Sequence, residues 1–263
     1  MGILNVTPDS FFDGGKYSSQ DQAIGRAEQM LEEGADWIDI GAASSKPNSA
    51  LVEVAEEWRR LKEVLPLLRK NFPDIPLSID TWRSEIARRA WEEGIDLVND
   101  VSGGNLDSKM FDFIGEKKVP YCLMHMQGTP QNMQNAPAYK NVVAEQLKWF
   151  SNRLAALRLR GASDVIIDPG FGFGKSLTHN YQILKGLEAY PLLGCPILVG
   201  LSRKSMINKL LHISPAEALN GTTALHMIAL QKGAAILRVH DVKEAKQAIL
   251  INEYYNSVSN ALI

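Results

Sequence analysis

Short apolar runs alternate with amphipathic segments along nearly the whole sequence, and this alternation limits the possible folds more than any other feature. Eight of the runs have the length and composition of buried strands. They span residues 1–6, 37–41, 77–80, 96–100, 121–125, 165–168, 197–200 and 236–240. The segments between them have helical periodicity, and glycines such as Gly34 and Gly161 are placed to end a helix shortly before a strand.

The predicted helices cover residues 21–33, 54–69, 85–93, 110–116, 138–160, 181–187, 216–232 and a last segment from 243. Strands that alternate with helices at this spacing form a parallel sheet, and eight such units predict a closed (β/α)8 TIM barrel. An open doubly wound sheet is the alternative, but no mononucleotide or dinucleotide loop follows the first strand. We expect a single domain over residues 1–263, because this length suits one α/β barrel.

Bulk properties narrow the class of partner. The net charge of −2 gives no reason to expect nucleic acid or an anionic membrane. We find no apolar run of transmembrane length and no signal peptide before the first motif, so a cytoplasmic protein is expected. Cys122 and Cys195 are predicted to be buried free thiols, and the histidines lack the spacing of a zinc site.

The segment Asp168–Lys175 places a carboxylate at the end of an apolar strand, followed by a loop with three glycines and two phenylalanines. Glycines there allow the backbone to approach a ligand closely. A Walker loop would need glycine where Pro169 stands, and a dinucleotide fingerprint would need one at Lys175 or Leu177. The loop is therefore either another kind of ligand loop or a flexible turn.

Polar side chains end nearly all of the predicted strands. In order they are Asn5, Asp39, Asp80, Asn99, Met124 with His125, Asp168, Ser202–Lys204, and Arg238 with His240. The carboxyl ends of barrel strands meet at one mouth, where the chemistry of such enzymes takes place. Turn preference explains any one of these residues, but the whole set predicts a ligand pocket.

Two groups of these residues suggest two parts of a ligand. Asp80, Asn99 and Asp168 suit the donor and acceptor edge of a fused heterocycle, since a carboxylate can accept two parallel N–H bonds. The second group lies on the adjoining strands 7, 8 and 1, where barrels usually hold phosphate. It contains Asn5, Arg238, His240 and the Ser202–Lys204 turn.

A third group lies on predicted loops and could cover a flat aromatic co-substrate. It consists of Phe11, Ser45, Lys46, Pro47 and Phe173. Structural alternatives remain for several candidates. Arg238 could form a buried ion pair with an aspartate, His125 could be a core histidine, Phe173 could simply pack, and Lys204 could be a Schiff-base lysine.

Several motifs together resemble the dihydropteroate synthase family over essentially the whole chain. They are Met1–Phe11, Ser78–Thr81, Asn99–Val101, Leu123–Met126, Asp168–Lys175, Ser202–Lys204 and Arg238–Val242. The resemblance implies a (β/α)8 barrel, usually a homodimer, that acts in folate synthesis. The implied reaction joins 6-hydroxymethyl-7,8-dihydropterin pyrophosphate to p-aminobenzoate with Mg2+ and releases pyrophosphate.

The resemblance also implies residue roles. Pterin would be held by Asp80, Asn99, Met124, Asp168 and Lys204. Pyrophosphate would be held by Asn5, Arg238 and His240, with Asn5 near the metal. The p-aminobenzoate pocket, which is the sulfonamide target of the family, would be formed by Phe11, Ser45, Lys46, Pro47, Phe173 and Ser202. Closure of the loops around Asp9 and Lys46 would exclude water.

The sequence departs from the family pattern in its second loop. The family usually reads Gly-Gly-Glu-Ser-Thr-Arg-Pro-Gly, whereas Gly41–Asn48 reads GAASSKPN. Lys46 replaces an arginine, and a Lys–Asp pair with Asp9 is less directional. Phe12 stands where serine is commoner, and we expect the amino-terminal hairpin that often plugs the barrel bottom to be missing.

Two other functions remain open on the sequence alone. One is methyl transfer from methyltetrahydrofolate to a corrinoid protein, which needs no pyrophosphate site and is therefore disfavoured by Arg238, His240 and Lys204. The other is a non-catalytic pterin-binding paralogue whose altered second loop no longer closes.

Overall fold

Every predicted strand is present in the computed structural model, which describes residues 1–6, 19–43, 52–133 and 137–258. The strands are β1 Gly2–Asn5, β2 Ile38–Gly41, β3 Leu77–Asp80, β4 Leu97–Asp100, β5 Tyr121–Met124, β6 Val165–Asp168, β7 Leu198–Val199 and β8 Ile236–Leu237. Each lies within its predicted range. The predicted helix stops are also confirmed, for example at Gly34, whose φ of 97° favours glycine.

The α-helices of the described residues follow the strands in alternation. They are α1 Ser19–Glu32, α2 Val54–Leu61, α3 Val64–Asn71, α4 Ser84–Glu92, α5 Met110–Lys117, α6 Val142–Leu159, α7 Leu177–Lys185, α8 Ser205–Leu211, α9 Leu219–Gln231 and α10 Val242–Ser257. No helix in this part of the chain is both long enough and apolar enough to span a membrane.

Backbone hydrogen bonds carry the parallel strands around a full circuit. Strands β1 to β6 pair in sequence order, and β7 pairs with β8. Ile167 forms a parallel bridge to Ile197, which joins β6 to β7. Gly2 forms a parallel bridge to Val239, and the Ile3 N–H donates to the Val239 carbonyl at 2.9 Å, which joins β8 to β1. The predicted eight-stranded barrel is therefore confirmed.

Two apolar layers hold the barrel together. The larger one lies between the strands and the surrounding helices and includes fully buried residues such as Ile40, Ile79 and Phe150. A smaller cluster of buried side chains comes from lumen-facing strand positions, and it consists of Met1, Leu97, Cys122, Ile166 and Leu198. Both cysteines are free thiols, as predicted, with Cys122 buried and Cys195 half-buried.

The single helix predicted over residues 54–69 is wrong, because the structure has α2 and α3 with a break at residues 62–63. Pro66 explains the break. Its ring removes the N–H that would donate to the Lys62 carbonyl and clashes with that carbonyl, so a continuous helix cannot form there.

Other helix boundaries differ because capping residues decide them. The helix predicted from residue 138 begins at Val142, where the Asn141 side chain accepts a bond from the Ala144 N–H at 3.1 Å. The helix predicted from residue 181 begins at Leu177, after a capping box between Ser176 and His179. Helix α8, the 3-10 helix Leu187–Leu193 and the 3-10 turn Pro215–Glu217 were not predicted.

Candidate active site

Polar side chains converge inside the carboxyl-terminal end of the barrel. Asn5 pairs with Gly41, Gly41 with Asp80, and Asp80 with Asn99 along neighbouring strands. Paired residues of parallel strands direct their side chains to the same face, so these side chains share the barrel lumen. Met124 pairs with Asp168 in the same way on β5 and β6. The sequence-predicted strand-end residues are thus brought together at one mouth.

Arg238 lies at the centre of this mouth and is bonded to two aspartates. Its Nε donates to Asp39 Oδ2 at 2.6 Å, and its Nη2 donates to Asp80 Oδ2 at 2.7 Å. The same Asp39 oxygen accepts a bond from Asn99 Nδ2 at 3.0 Å. The buried Arg–Asp pair that the sequence left open is therefore present, and it links a candidate pyrophosphate residue to two candidate pterin residues.

Burial and neighbouring charges set the protonation of Asp80. Burial raises the pKa of Asp80 to about 7, against the opposing attraction of Arg238, and Asp39 adds to the rise. Burial alone would lower the pKa of Arg238, but Asp39 and Asp80 raise it above its ordinary value. The guanidinium therefore stays charged, while Asp80 changes its charge close to neutral pH.

Asp168 and Lys204 bring a further pair of opposite charges to the mouth, from β6 and from the turn after β7. The Gly170 N–H donates to Asp168 Oδ1 at 2.7 Å, while burial raises the pKa of Asp168 against the attraction of Lys204. Burial also lowers the pKa of Lys204 to about 8. Lys204 Nζ donates to the Phe171 carbonyl at 2.5 Å and lies 4.6 Å from the Phe173 ring centroid.

Gly200 leaves open space between these charged groups. A Cβ atom at Gly200 would lie 3.9 Å from each of three atoms: Asp168 Oδ2, Lys204 Nζ and Arg238 Cβ. Three side chains of different character thus surround one residue that has no side chain. A ligand group beside Gly200 could therefore contact an acceptor, Asp168 Oδ2, and a cation, Lys204 Nζ, at once.

An apolar wall borders the charged groups on the side of β3 to β5. Its buried members are Trp82, Val101, Met124, Met126 and Met133, with Ala43 and Phe173 packed against them. Such a surface suits the face of a flat ring, because aromatic and thioether side chains adapt to ring surfaces. The predicted pterin residue Met124 therefore lies in the wall next to Asp168.

Ser202 and His240 contact each other at the rim. Ser202 Oγ lies 3.1 Å from His240 Nδ1, and the His240 N–H donates to Ser202 Oγ at 3.3 Å. Desolvation and the nearby Arg238 charge lower the pKa of His240, although its side chain stays open to solvent. The imidazole is therefore available as a neutral hydrogen-bonding group. Asn5 is exposed at the same mouth.

Two residues singled out by the sequence lie away from the mouth. Gln146 Nε2 lies 3.1 Å from His125 Nδ1 and donates to the Pro169 carbonyl at 2.9 Å, so His125 is a bonded core histidine. The Arg203 guanidinium makes two 2.8 Å bonds to the Asp241 carboxylate and connects two loops.

Sequence reasoning gave no role to two residues that the structure makes central. Asp39 is fully buried and bridges two candidate site residues, and Lys175 is buried beneath the glycine loop. Strand parity could have singled out Asp39, since it alternates with Gly41 and faces the lumen. Five predicted residues lie outside the described part of the chain, namely Asp9, Phe11, Ser45, Lys46 and Pro47.

Known proteins are similar to this chain in sequence and in fold. A family model described as pterin binding enzyme matches residues 1–240. The chain belongs to this family. A dihydropteroate synthase from Escherichia coli strain K12 is 42% identical over 255 residues, which cover 96% of this chain and 90% of that protein. The resemblance predicted from the motifs is confirmed.

Solved structures of the pterin-binding family superpose closely on this chain. A Yersinia pestis dihydropteroate synthase, solved with a sulfonamide drug, has a TM-score of 0.92 and 41% identity, covering 98% of this chain and 94% of that one. A Xanthomonas albilineans dihydropteroate synthase, solved with 4-aminobenzoic acid, has a TM-score of 0.92 and 39% identity, covering 98% and 93%. The barrel is therefore the fold that this family uses.

Proposed function

We propose that this chain is a transferase of folate biosynthesis that condenses 6-hydroxymethyl-7,8-dihydropterin pyrophosphate with p-aminobenzoate, giving 7,8-dihydropteroate and pyrophosphate. The observation that carries the proposal is 42% identity, over 96% of the chain, to a protein named dihydropteroate synthase. The polar lumen supports it, because Asp80, Asn99 and Asp168 suit a pterin edge and Arg238 suits a pyrophosphate.

The pterin would occupy the space between Asp80, Asn99 and Asp168. Carboxylate oxygens accept the N–H groups of an amino-pyrimidinone edge, and Lys204 can donate to its carbonyl oxygen. The Met124 wall would cover one face of the ring. Burial favours this recognition, because hydrogen bonds to charged groups are strongest where water is excluded.

The pyrophosphate would be held by Arg238, His240 and Asn5. Arg238 can turn towards the anion only if its bonds to the aspartates are exchanged, because Nε and Nη2 are both occupied. The pterin N–H groups can replace the guanidinium at Asp80. Binding of the two halves of the substrate would then be coupled through one salt bridge.

Magnesium fits the mouth as an ion that arrives with the pyrophosphate. Among the described residues no cluster of three or more His, Cys, Asp or Glu could hold a metal alone. A Cβ atom at Gly41 would lie 3.7 Å from Asn5 Oδ1 and 3.8 Å from Asp80 Oδ2, so both oxygens border the same space, and Mg2+ prefers a few protein oxygens together with phosphate oxygens. When bound, the metal supplies charge neutralisation at the leaving group.

The chemistry is substitution at the exocyclic methylene of the pterin. The C–O bond to pyrophosphate breaks, and the pyrophosphate leaves with the electron pair. The neutral aniline nitrogen of p-aminobenzoate forms the new C–N bond and then loses a proton. The Asp80 and Asp168 carboxylates favour positive charge on the pterin as the leaving group departs, because the surrounding dielectric is low.

The p-aminobenzoate would lie against Phe173, Ser202 and Lys204. Phe173 is half-buried at the mouth and in contact with the Lys204 ammonium, which can also attract the carboxylate of the co-substrate. The remaining proposed contacts are Phe11, Ser45, Lys46 and Pro47, and closure of the loops around Asp9 and Lys46 remains part of the proposal.

We propose that the protein forms a homodimer through the surface of α9 and α10. Large apolar side chains there are exposed: Ile228, Leu250, Ile251, Tyr254, Tyr255 and Val258. A contiguous apolar surface of this kind supports association with a second copy. The proposal also includes a single domain over residues 1–263 and a cytoplasmic location, and sedimentation of the purified protein would test the dimer.

Pyrophosphate release measured with Mg2+ and the pterin pyrophosphate, with and without p-aminobenzoate, tests the function. Release that requires p-aminobenzoate and yields dihydropteroate would establish the synthase. Pterin binding without turnover would refute it in favour of a non-catalytic pterin-binding protein.

A further inference from the structure

The amino group of Lys175 is enclosed beneath the glycine loop that follows β6. The residue is 3% exposed. Its Nζ donates to three backbone carbonyls, those of His125 at 3.0 Å, Gly170 at 2.8 Å and Phe173 at 2.8 Å. An ammonium group has three N–H donors, so every donor has a partner, whereas a neutral amine could satisfy only two of the carbonyls.

A buried lysine needs a compensating benefit, because removing an ammonium from water is costly. Burial lowers the pKa of Lys175, while Asp168 opposes this effect. The proposed reaction uses Asp168 and Lys204 but assigns no contact with substrate to Lys175. The benefit must therefore come through the groups that Lys175 binds.

The carbonyl groups of this loop accept hydrogen bonds from two different lysines. Gly170 and Phe173 direct their carbonyls down to Lys175, whereas Phe171 directs its carbonyl to Lys204 Nζ at 2.5 Å. The orientation of these peptide groups is thus coupled: a rotation that releases one lysine also disturbs the bond to the other.

The loop also lies unusually close to the chain that follows β5. A Cβ atom at Gly170 would lie 2.1 Å from the His125 carbonyl oxygen, and one at Gly174 would lie 2.4 Å from that of Gln127. Both glycines also have positive φ, which glycine adopts readily and other residues do not, so this close approach depends on them. Lys175 bonds to both layers of this contact, since it binds the His125 carbonyl as well as the loop.

We propose that Lys175 is a positioning residue, whose ammonium fixes the 170–173 loop so that Phe173 and Lys204 form the p-aminobenzoate side of the site. This inference rests on the proposed function. Lys175 would contact neither substrate, but it would determine the affinity for p-aminobenzoate through the loop that it holds.

The variant Lys175→Met tests the inference, because methionine keeps the length of the chain and removes the charge and all three donors. We expect the KM for p-aminobenzoate to rise by about 10- to 100-fold, since small misplacements of binding groups have effects of this size. The KM for the pterin pyrophosphate should change less, because Asp80 and Asn99 lie on strands that Lys175 does not contact.

A second readout separates positioning from general stability. Lys175 lowers the pKa of Asp168, which burial raises. Removal of the ammonium should therefore move the acidic limb of kcat/KM for the pterin pyrophosphate to higher pH, by about one pH unit. Lys175→Arg should not restore the wild-type KM, because a planar guanidinium cannot place its donors as a compact ammonium does.

Two further variants complete the test, one as a control and one as a milder change to the same loop. Lys185→Met removes an exposed lysine at the end of α7 and should leave both KM values and the pH profile unchanged. Tyr139→Phe removes the hydroxyl that donates to the Gly174 carbonyl at 3.0 Å. It should loosen the same loop without removing a charge, so it should raise the KM for p-aminobenzoate modestly and leave the acidic limb in place.

The outcomes distinguish this inference from the proposed function. If the wild-type protein shows no p-aminobenzoate-dependent release of pyrophosphate, the proposed function fails whatever Lys175 does. If wild type is active and folded Lys175→Met has an unchanged KM for p-aminobenzoate, the positioning role is overturned. If Lys175→Met does not fold, a folded Lys175→Arg with the wild-type KM for p-aminobenzoate would overturn it instead.

Discussion

Replacing Asp80 by asparagine should stabilise the fold at alkaline pH and weaken the proposed pterin site. Burial raises the pKa of Asp80 to about 7 from an ordinary value of 3.8. Between these values the native protein holds a proton that the unfolded chain has lost. The free energy of unfolding of the wild type therefore falls as pH rises, by up to about 1.4 kcal/mol per pH unit from this residue, and levels off about one pH unit above 7.

The interval from pH 5 to pH 7 isolates this contribution. It should reduce the stability of the wild type relative to Asp80→Asn by about 2 kcal/mol, since the slope falls to half as the pH reaches the pKa. Asparagine can still accept the bond from Arg238 Nη2, which Asp80 accepts at 2.7 Å.

Urea denaturation of both proteins at pH 5, 6, 7 and 8 would measure this difference. We expect a gap that widens most steeply between pH 5 and pH 7 and levels off towards pH 8. Affinity for the pterin should fall by about 10- to 100-fold at pH 8, because a hydrogen bond to a charged acceptor is lost. Parallel stability curves for the two proteins would refute the assignment of a near-neutral pKa to Asp80.

Three other changes test separate parts of the structure. Arg238→Ala should weaken binding of the pterin pyrophosphate and turnover far more than binding of pterin alone, as measured by calorimetry with both ligands; equal losses would mean that the anion site is misplaced. Tyr121→Phe should lower the free energy of unfolding by about 1.5–3 kcal/mol, because its hydroxyl donates to the buried Asp100 carboxylate at 2.7 Å. The value of kcat should not change, because this bond lies outside the lumen. Iodoacetamide should alkylate the half-buried Cys195 of the native protein before Cys122, because burial keeps the Cys122 thiol inaccessible and raises its pKa. Mass spectrometry would measure the labelling of each cysteine, and equal labelling would contradict the buried position of Cys122.

The sequence was sufficient to predict the barrel because every strand is marked by an apolar run. A helix stop such as Gly34 or Gly161 marks some of the strands a second time. Helix boundaries were less predictable, since they depend on single interactions. The break caused by Pro66 and the cap formed by Asn141 each override the apolar periodicity that extends across them.

The candidate site was predictable as a set of residues but not as a network. Strand ends identified Asp80, Asn99 and Arg238, yet only the register of the strands shows that Asp39 joins two of them through one oxygen. Residues that are adjacent in the sequence can also point to opposite sides of the barrel wall. Asp100 directly follows Asn99, but it faces outward and accepts a bond from Tyr121.

The salt bridges of Arg238 bear on which anions the mouth can select. A guanidinium already bonded to Asp39 and Asp80 offers little net attraction to free phosphate, which is abundant in cells and carries no group to replace it at those aspartates. A ligand that brings both an anion and a ring edge rich in N–H groups can exchange one set of bonds for another. The pairing inside the barrel would then act as a filter that keeps the site clear of simple anions until a molecule with both features arrives.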